Sequence, residues 1–217
     1  EVGQVNALTV RDMGDTSFGM PSRVTARASV GRHGVVNIER DVALGGPVQQ
    51  KGVMVLQGFL AGMFARRFPL SFNCSVTFEQ SYGGVEGDSA SLAELMAILS
   101  DLSGVPLRQD LAITGSVNQR GEAQAIGGAN QKIAGFFRTC LSQGALTGLQ
   151  GVIIPAANER NVVLLPEISD AVAVGKFHIH SVTCVDDAIE LFTGQPAEKI
   201  YELVTAQLEA FDQALTE

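Results

Sequence analysis

The chain has 217 residues, 46% of them hydrophobic and 18% charged, with a formal net charge of −8 and a sequence pI near 4.9. This composition excludes a disordered chain and supports one substantial hydrophobic core. The negative charge and the scattered arginines argue against nucleic acid as a partner. The longest apolar run, residues 53–65, is shorter than the ~20 residues that cross a bilayer, so we expect no membrane partner either.

The N-terminal part of the chain predicts strands, one helix and a further strand. Apolar and polar residues alternate in QVNALTVRD, RVTARASV and VVNIER, with glycine-rich gaps between them, which indicates an antiparallel β-meander. The segment SFNCSVTFEQ predicts a strand after the helix. The helix is predicted from an apolar stripe that consists of Val53, Leu56, Leu60 and Phe64. We expect it to end before Pro69.

The remainder of the chain alternates helices and strands. Its pattern predicts a helix over roughly 89–102, a strand at DLAITGSV and a second helix over roughly 129–141. Strands at GVIIP and FHIHSV, a short helix at VDDAIELF and a last helix beginning at Pro196 complete it. Because strands come first and helices are interspersed later, we predict a single compact α+β domain over residues 1–217.

The cysteines and the missing motifs limit the chemistry. Cys74, Cys140 and Cys184 form neither a CxxC pair nor a Cys/His ladder, so we expect reduced, buried thiols in a cytoplasmic protein. The sequence holds no HExxH or His/carboxylate cluster for a metal and no GxxxxGK[ST] for a nucleotide. The chain begins at Glu1 without a signal-peptide pattern, and we expect it to be a domain of a longer protein.

One of the lysines stands out by its position. Lys132 follows Gly127-Gly128 and falls in the first turn of a predicted helix that is otherwise apolar. The helix dipole and desolvation would both lower the pKa of an amine there, which is how a lysine becomes a general base near neutral pH. The alternative is a surface lysine whose stem covers apolar neighbours while its ammonium stays in water.

Ser89, in the segment EGDSAS, has two compatible interpretations. Asp88 or Ser89 would cap the helix that follows, because Ser and Asp are preferred N-caps. A serine at a helix N-terminus also has backbone N–H groups beside it that can stabilise an oxyanion, as a nucleophile requires. Gly87 would let the backbone fold tightly around a scissile carbonyl.

A Ser-His-Asp hydrolase is the alternative enzyme. His178 and His180 follow Ser89 in the required order, but GDSAS departs from the nucleophile elbow GxSxG. The loop SYGGVEG also separates the serine motif from the preceding strand. The two histidines alternate in FHIHSV, and we expect them to pack on one face of a strand. An S-x-x-K arrangement is excluded because no lysine has a serine three residues before it.

Several segments together resemble the proteolytic domain of Lon, the ATP-dependent serine protease, and most closely its B-type branch. They occur in the order GDSAS, SGVPLRQD, TGSVNQRGE and GGANQK. Lys132 follows Ser89 by 43 residues, which fits the spacing of the dyad in that family. Further pieces agree before the serine motif (ERDVALGGPVQQKGV, FEQSYGG) and after it (VIIP, PEISDAV, FHIHSV, IELFTG), so the resemblance covers nearly the whole chain.

The resemblance implies a Ser-Lys dyad. Ser89 would attack the peptide carbonyl, neutral Lys132 would take and return the proton, and Thr114 would orient the lysine amine. The backbone N–H of Ser89 or its neighbours would face the oxyanion. Glu86 and Asp88 match acidic positions of the B-type motif; they would either shape the entrance or pair with Lys132 and raise its pKa.

The resemblance also implies a context for the domain. The fold would be a two-lobed α+β domain like the second domain of ribosomal protein S5, and the domains would associate into hexameric rings that enclose a chamber. The substrates would be unfolded polypeptides, delivered by the protein's own ATPase domain. ATP and Mg would bind only to that domain, so we expect no cofactor here. A non-catalytic interaction module on the same fold remains the hypothesis from a different class.

Overall fold

The computed structural model describes residues 1–81 and 83–216. The strands are β1 (Gln4–Asp12), β2 (Ser17–Val30), β3 (Gly34–Asn37), β4 (Phe72–Phe78), β5 (Leu111–Ile113), β6 (Ser116–Val117), β7 (Ala123–Gln124), β8 (Gly151–Pro155) and β9 (His178–Val182). The helices are α1 (Ile38–Asp41), α2 (Pro47–Phe64), α3 (Ser91–Ser103), α4 (Ala129–Gln143), α5 (Pro166–Ala173), α6 (Val185–Thr193) and α7 (Ala197–Thr216), with a 3₁₀ turn at Ala156–Asn161.

Seven of the strands form one mixed sheet, in the order β3-β4-β2-β1-β5-β8-β9. Strand β2 pairs antiparallel with β1 and with β4. All other neighbours in the sheet are parallel, namely β3 with β4, β1 with β5, β5 with β8, and β8 with β9. The short strands β6 and β7 form a separate antiparallel pair.

The N-terminal strands form a hairpin and not the predicted three-stranded meander. Strands β1 and β2 are antiparallel as expected, but β3 lies at the edge of the sheet and runs parallel to β4. The segment VVNIER also divides into the end of β3 and the short helix α1. The side chain of Glu39 explains this change, because its Oε1 accepts hydrogen bonds from Thr77 Oγ1 and Phe78 N of β4 and draws the chain inward.

The C-terminal half adds parallel strand pairs to the sheet, which gives a compact structure of helices and strands around a mixed sheet, in agreement with the predicted combination of the two. Strands β5, β8 and β9 are parallel neighbours. Parallel neighbours require crossover connections, which here contain α4 and α5. Helix α5 had not been predicted as a separate element.

Apolar residues pack on both faces of the sheet. One face is covered by α2, α3, α6 and α7, and the other by α4 and α5. Helix α3 is buried on almost every side, which explains why its sequence is apolar nearly all round. The five inward positions predicted for it are all buried: Leu92, Leu95, Met96, Leu99 and Leu102. Within the described residues, no helix is long and apolar enough to span a bilayer.

Helix α4 lies very close to strand β2. A Cβ atom on Gly19 would collide with the carbonyl oxygen of Gln131, and one on Gly135 would collide with the carbonyl oxygen of Gly19. The two glycines, which have no side chain, therefore allow the first turn of α4, including Lys132, to lie close against β2.

The three cysteines are free, but the prediction that all are buried is wrong. Cys74 lies in the core, where burial raises the pKa of its thiol to about 12. Cys140 and Cys184 are half-buried, because each lies at the border of the fold, late in α4 and directly before α6.

Candidate active site

The loop between β4 and α3 carries Ser89. Gly87 has φ +87°, a left-handed conformation that residues with side chains adopt only at a cost. Helix α3 begins at Ser91, and no side chain caps it. The predicted cap by Asp88 or Ser89 is therefore wrong, because both side chains have other partners: Ser116 for Asp88 and Lys132 for Ser89.

The main chain of Ser89 is fixed to the C-terminal end of β5. Its carbonyl oxygen accepts hydrogen bonds from Gly115 N at 2.8 Å and from Thr114 Oγ1 at 3.2 Å. Leu92 N in turn donates to Gly115 O at 3.1 Å. The serine is therefore held by the sheet as well as by its own helix.

Lys132 extends from the first turn of α4 into the same place. Its Nζ lies 2.9 Å from Ser89 Oγ and 3.0 Å from Thr114 Oγ1. Lys132 is 3% exposed, and Thr114 is fully buried. Because the Thr114 hydroxyl donates its own proton to Ser89 O, the lysine must be the donor toward Thr114. When the amine is neutral, its lone pair is free to accept the proton of Ser89.

The surroundings of Lys132 favour a neutral amine. Burial lowers the pKa of Lys132 to about 8, and the negative charge of Asp88 acts in the opposite direction. Among the described residues, Lys132 makes no ion pair with a carboxylate; the salt bridge found there joins Arg108 to Asp110. The alternative of a surface lysine is therefore not what the structure contains.

The two acidic residues before Ser89 have separate anchors. Ser116 Oγ donates to Asp88 Oδ2 at 2.9 Å. Glu86 is exposed, and its Oε1 accepts from Val48 N, in the first turn of α2, at 3.1 Å and from Gly87 N at 3.1 Å. A carboxylate is favoured there by the dipole of α2. Glu86 and Asp88 therefore line the pocket, as the first alternative predicted. Among the described residues, neither forms the ion pair with Lys132 that the second alternative required.

A pocket of about 660 Å³ opens in front of Ser89 and Lys132. Its walls are the end of β1 (residues 9–12), the loop at 83–90 and the segment at 125–128. This volume falls within the usual range for ligand-binding clefts, ~300–1,000 Å³. All the predicted site residues except Thr114 line it, namely Glu86, Gly87, Asp88, Ser89 and Lys132.

Asn158 supports one wall of this pocket and was not predicted. It is 4% exposed, its Oδ1 accepts from Ile126 N at 3.0 Å, and its Nδ2 donates to Ile126 O at 2.9 Å. It therefore fixes the segment at 125–128 that precedes α4. An asparagine three positions after the end of the buried strand GVIIP was a signal in the sequence, but the sequence did not show which group it would bind.

The histidines lie elsewhere. His178 and His180 stack on β9 with ring centroids 5.8 Å apart, as expected for one face of a strand, and His178 Nε2 lies 2.8 Å from Gly148 O. No histidine lines the pocket of Ser89. In the part of the chain that the structure describes, no group of three or more His, Cys, Asp or Glu residues could hold a metal ion.

Comparison with known proteins identifies the family of this domain. The family described as "Lon protease (S16) C-terminal proteolytic domain" matches residues 81–193, just over half of the chain. The chain is 48% identical over 192 residues to a "Putative Lon protease homolog" of Escherichia coli K12, covering 88% of this chain and 33% of that protein. It is 41% identical over 196 residues to the protein of the same name from Haemophilus influenzae, covering 89% of this chain and 32% of that protein.

An archaeal relative agrees with this. The "Archaeal Lon protease" of Thermococcus kodakarensis is 39% identical over 128 residues, covering 59% of this chain and 18% of that protein. The chain belongs to the Lon protease proteolytic-domain family. It spans about a third of the length of the bacterial relatives it matches.

Proposed function

We propose that this chain is the peptidase domain of a serine endopeptidase that hydrolyses unfolded polypeptides through a dyad of Ser89 and Lys132. The observation that carries the proposal is the 2.9 Å separation of Lys132 Nζ from Ser89 Oγ, at a lysine that is 3% exposed. A dyad requires a separation within hydrogen-bond reach and a base that is neutral in an accessible pH range.

The chemistry would proceed in two balanced steps. As Ser89 Oγ bonds to the scissile carbonyl carbon, its proton passes to Lys132 Nζ, and the ammonium then gives that proton to the leaving amine. In the second step, water attacks the acyl-serine while Lys132 again takes a proton, which returns to Ser89 Oγ as the acid leaves. Thr114 Oγ1 holds the amine in place during both steps.

The oxyanion of the intermediate would be stabilised by main-chain N–H groups. Ser89 N and Ala90 N have no acceptor among the described residues, and both residues line the pocket. Donors that are fixed before the reaction stabilise the developing charge without reorganisation. The bend at Gly87 and the anchoring of Ser89 O hold these groups at the start of α3.

We further propose the context that the family provides. The domain has the architecture of the second domain of ribosomal protein S5 and forms a single unit over residues 1–217. It works in a hexameric ring, joined to an ATPase domain of the full-length protein that binds ATP and Mg, while the peptidase domain needs no cofactor. The protein acts in the cytoplasm and removes unfolded or damaged proteins. The relatives' greater length supports the presence of further domains.

The dyad is tested by single substitutions in the full-length protein. Ser89→Ala and Lys132→Ala should each reduce cleavage of a fluorescently labelled unfolded protein by at least ~10³-fold, because each removes a reacting group. Lys176→Ala is the matched control, since Lys176 is an exposed lysine. Cleavage at the normal rate by either dyad variant would disprove the proposal.

A second assay separates an enzyme from a non-catalytic interaction module. A fluorophosphonate probe should label the wild-type protein at Ser89 and should not label Ser89→Ala. A binding module would leave the probe unreacted, because its serine would not be activated.

A further inference from the structure

We propose that Ser116 is a positioning residue, whose hydroxyl holds the Asp88 carboxylate away from Lys132 and so keeps the amine available as a base. The inference rests on the proposed function, because it concerns the protonation of the dyad. Nothing in the sequence motifs assigned a role to this serine.

Asp88 is placed where its carboxylate could reach either of two partners. It directly precedes Ser89 and lines the same pocket as Lys132. It also lines a second cavity of about 390 Å³ on the other side, together with Ser116. The carboxylate is directed toward the second side, where Ser116 Oγ donates to Asp88 Oδ2 at 2.9 Å.

The hydroxyl that holds Asp88 is itself rigidly placed. Ser116 is 5% exposed and begins β6, where it is paired with Gln124 of β7. The next residue, Val117, donates its N–H to Ser91 Oγ at 3.1 Å, which fixes β6 to the start of α3. Strand β6 and the serine loop are therefore parts of one framework.

Helix α2 limits the other positions of Asp88. It approaches at Gly52, where a Cβ atom would come within 3.3 Å of Asp88 Cβ. Because Asp88 Cβ is confined on that side, a carboxylate released by Ser116 would move by rotation about its side-chain bonds, which turns it toward the pocket and the ammonium of Lys132. A carboxylate within ~4–6 Å of an amine raises the pKa of the amine, commonly by one to three units.

Other charged groups face the same region and must be kept constant. Arg11 and Asp12 from β1 and Glu86 from the serine loop line the pocket, while Lys51 from α2 and Arg120 from the turn between β6 and β7 line the second cavity. None of them changes in the variants below, so their effects cancel when the pH profiles are compared.

The experiment is a double-mutant cycle on the pH dependence of kcat/KM in the full-length protein. Ser116→Ala should move the acidic limb of the profile upward by about one pH unit, with activity about tenfold lower near pH 7.5 and close to wild type above the new limb. Adding Asp88→Asn to Ser116→Ala should remove this shift, because no charge is left to approach Lys132.

A matched control and a second readout separate this role from a loss of packing. Ser100→Ala removes another buried serine hydroxyl, from a part of α3 outside the pocket, and should leave the limb in place. The rate of fluorophosphonate labelling at Ser89 should follow the same pH shift without any peptide substrate. The double variant lacks the same hydroxyl as Ser116→Ala, so its recovery excludes misfolding as the cause.

Two results would overturn the inference while leaving the dyad intact. In the first, the Ser116→Ala profile coincides with the wild type; in the second, its activity falls equally at every pH and Asp88→Asn does not restore it. Normal cleavage by Ser89→Ala would instead disprove the proposed function, and this inference with it.

Discussion

Two regions of the molecule bury ionisable groups, and of these groups Lys132 lines the pocket in front of Ser89 while Glu94 does not. At the first, Lys132 lies 2.9 Å from Ser89 Oγ, and burial lowers the pKa of Lys132 to about 8. At the second, in the core between α1, α2 and α3, burial raises the pKa of Glu94 to about 8, while a hydrogen bond from Gln49 lowers it and Glu39 raises it.

The second region is a buried polar cluster. Gln49 Nε2 donates to Glu94 Oε1 at 3.1 Å, and Asn37 Nδ2 donates to Gln49 Oε1 at 2.7 Å. Glu39 Oε2 is buried and has no hydrogen-bond partner among the described residues. The pKa values of Lys132 and Glu94 both lie well away from their ordinary values, so a displaced pKa alone does not identify a catalytic group. Lys132 is distinguished by its place in the wall of the pocket and by the hydroxyl of Ser89 beside its amine.

Substitution of Glu94 should have the largest effect of those that test the comparison between the two regions. The quantity that it changes is the free energy of unfolding. The folded-state pKa of Glu94, about 8, lies above its ordinary value of 4.5, so the folded protein binds the extra proton. The stability that Glu94 contributes through this proton is fully present below pH 4.5 and is lost as pH rises toward 8. Glu94→Gln should therefore raise the free energy of unfolding at pH 8 by up to about 4 kcal/mol and change it little at low pH.

This prediction is checked by urea unfolding of both proteins across the pH range. Glu190→Gln, at an exposed glutamate of α6, is the control and should leave the pH dependence unchanged. Equal stability of Glu94→Gln and wild type at every pH would show that Glu94 is already ionised in the core. Cleavage should stay near the wild-type rate, because Glu94 does not line the pocket.

At Lys132 the sign is opposite and the expected effect is somewhat smaller. The folded-state pKa, about 8, lies below the ordinary value of 10.5, so the unfolded protein binds the extra proton between these values. Stability attributable to this group should therefore rise with pH through that window, by about 2–3 kcal/mol. Lys132→Met removes the amine and should abolish this rise, whereas Lys176→Met should preserve it. If Lys132→Met kept the wild-type pH dependence of the free energy of unfolding, that rise would come from a group other than Lys132.

The smallest expected effect concerns a neutral buried group at the same pocket. Asn158→Ala leaves the N–H and the C=O of Ile126 without partners, which costs about 1–3 kcal/mol and loosens the wall at 125–128. We expect KM for an unfolded protein to rise about tenfold with a smaller change in kcat. Asn73→Ala, on β4 outside the pocket, is the control. Unchanged KM in Asn158→Ala would mean that this wall does not contact substrate.

The proximity of Ser89 and Lys132 could be predicted more readily than the topology, and the reasons are local. The segments GDSAS and GGANQK are short-range signals, and the resemblance that they carry pairs the two residues, whereas the position of Lys132 alone left a surface role open. The sequence could not predict that Ser116 binds Asp88, because the hydrogen bond joins residues 28 positions apart. It also could not predict that β3 pairs with β4, since a parallel register leaves no mark on the alternating pattern.

The anchoring of Ser89 O to Thr114 and Gly115 has a mechanical consequence. The same threonine also receives the hydrogen bond of Lys132, so the strand end that anchors Ser89 also sets the position of Lys132 Nζ. Forces transmitted from elsewhere in a larger assembly would move these two groups together. Such forces would widen or narrow the mouth of the cleft before they separated Ser89 Oγ from Lys132 Nζ.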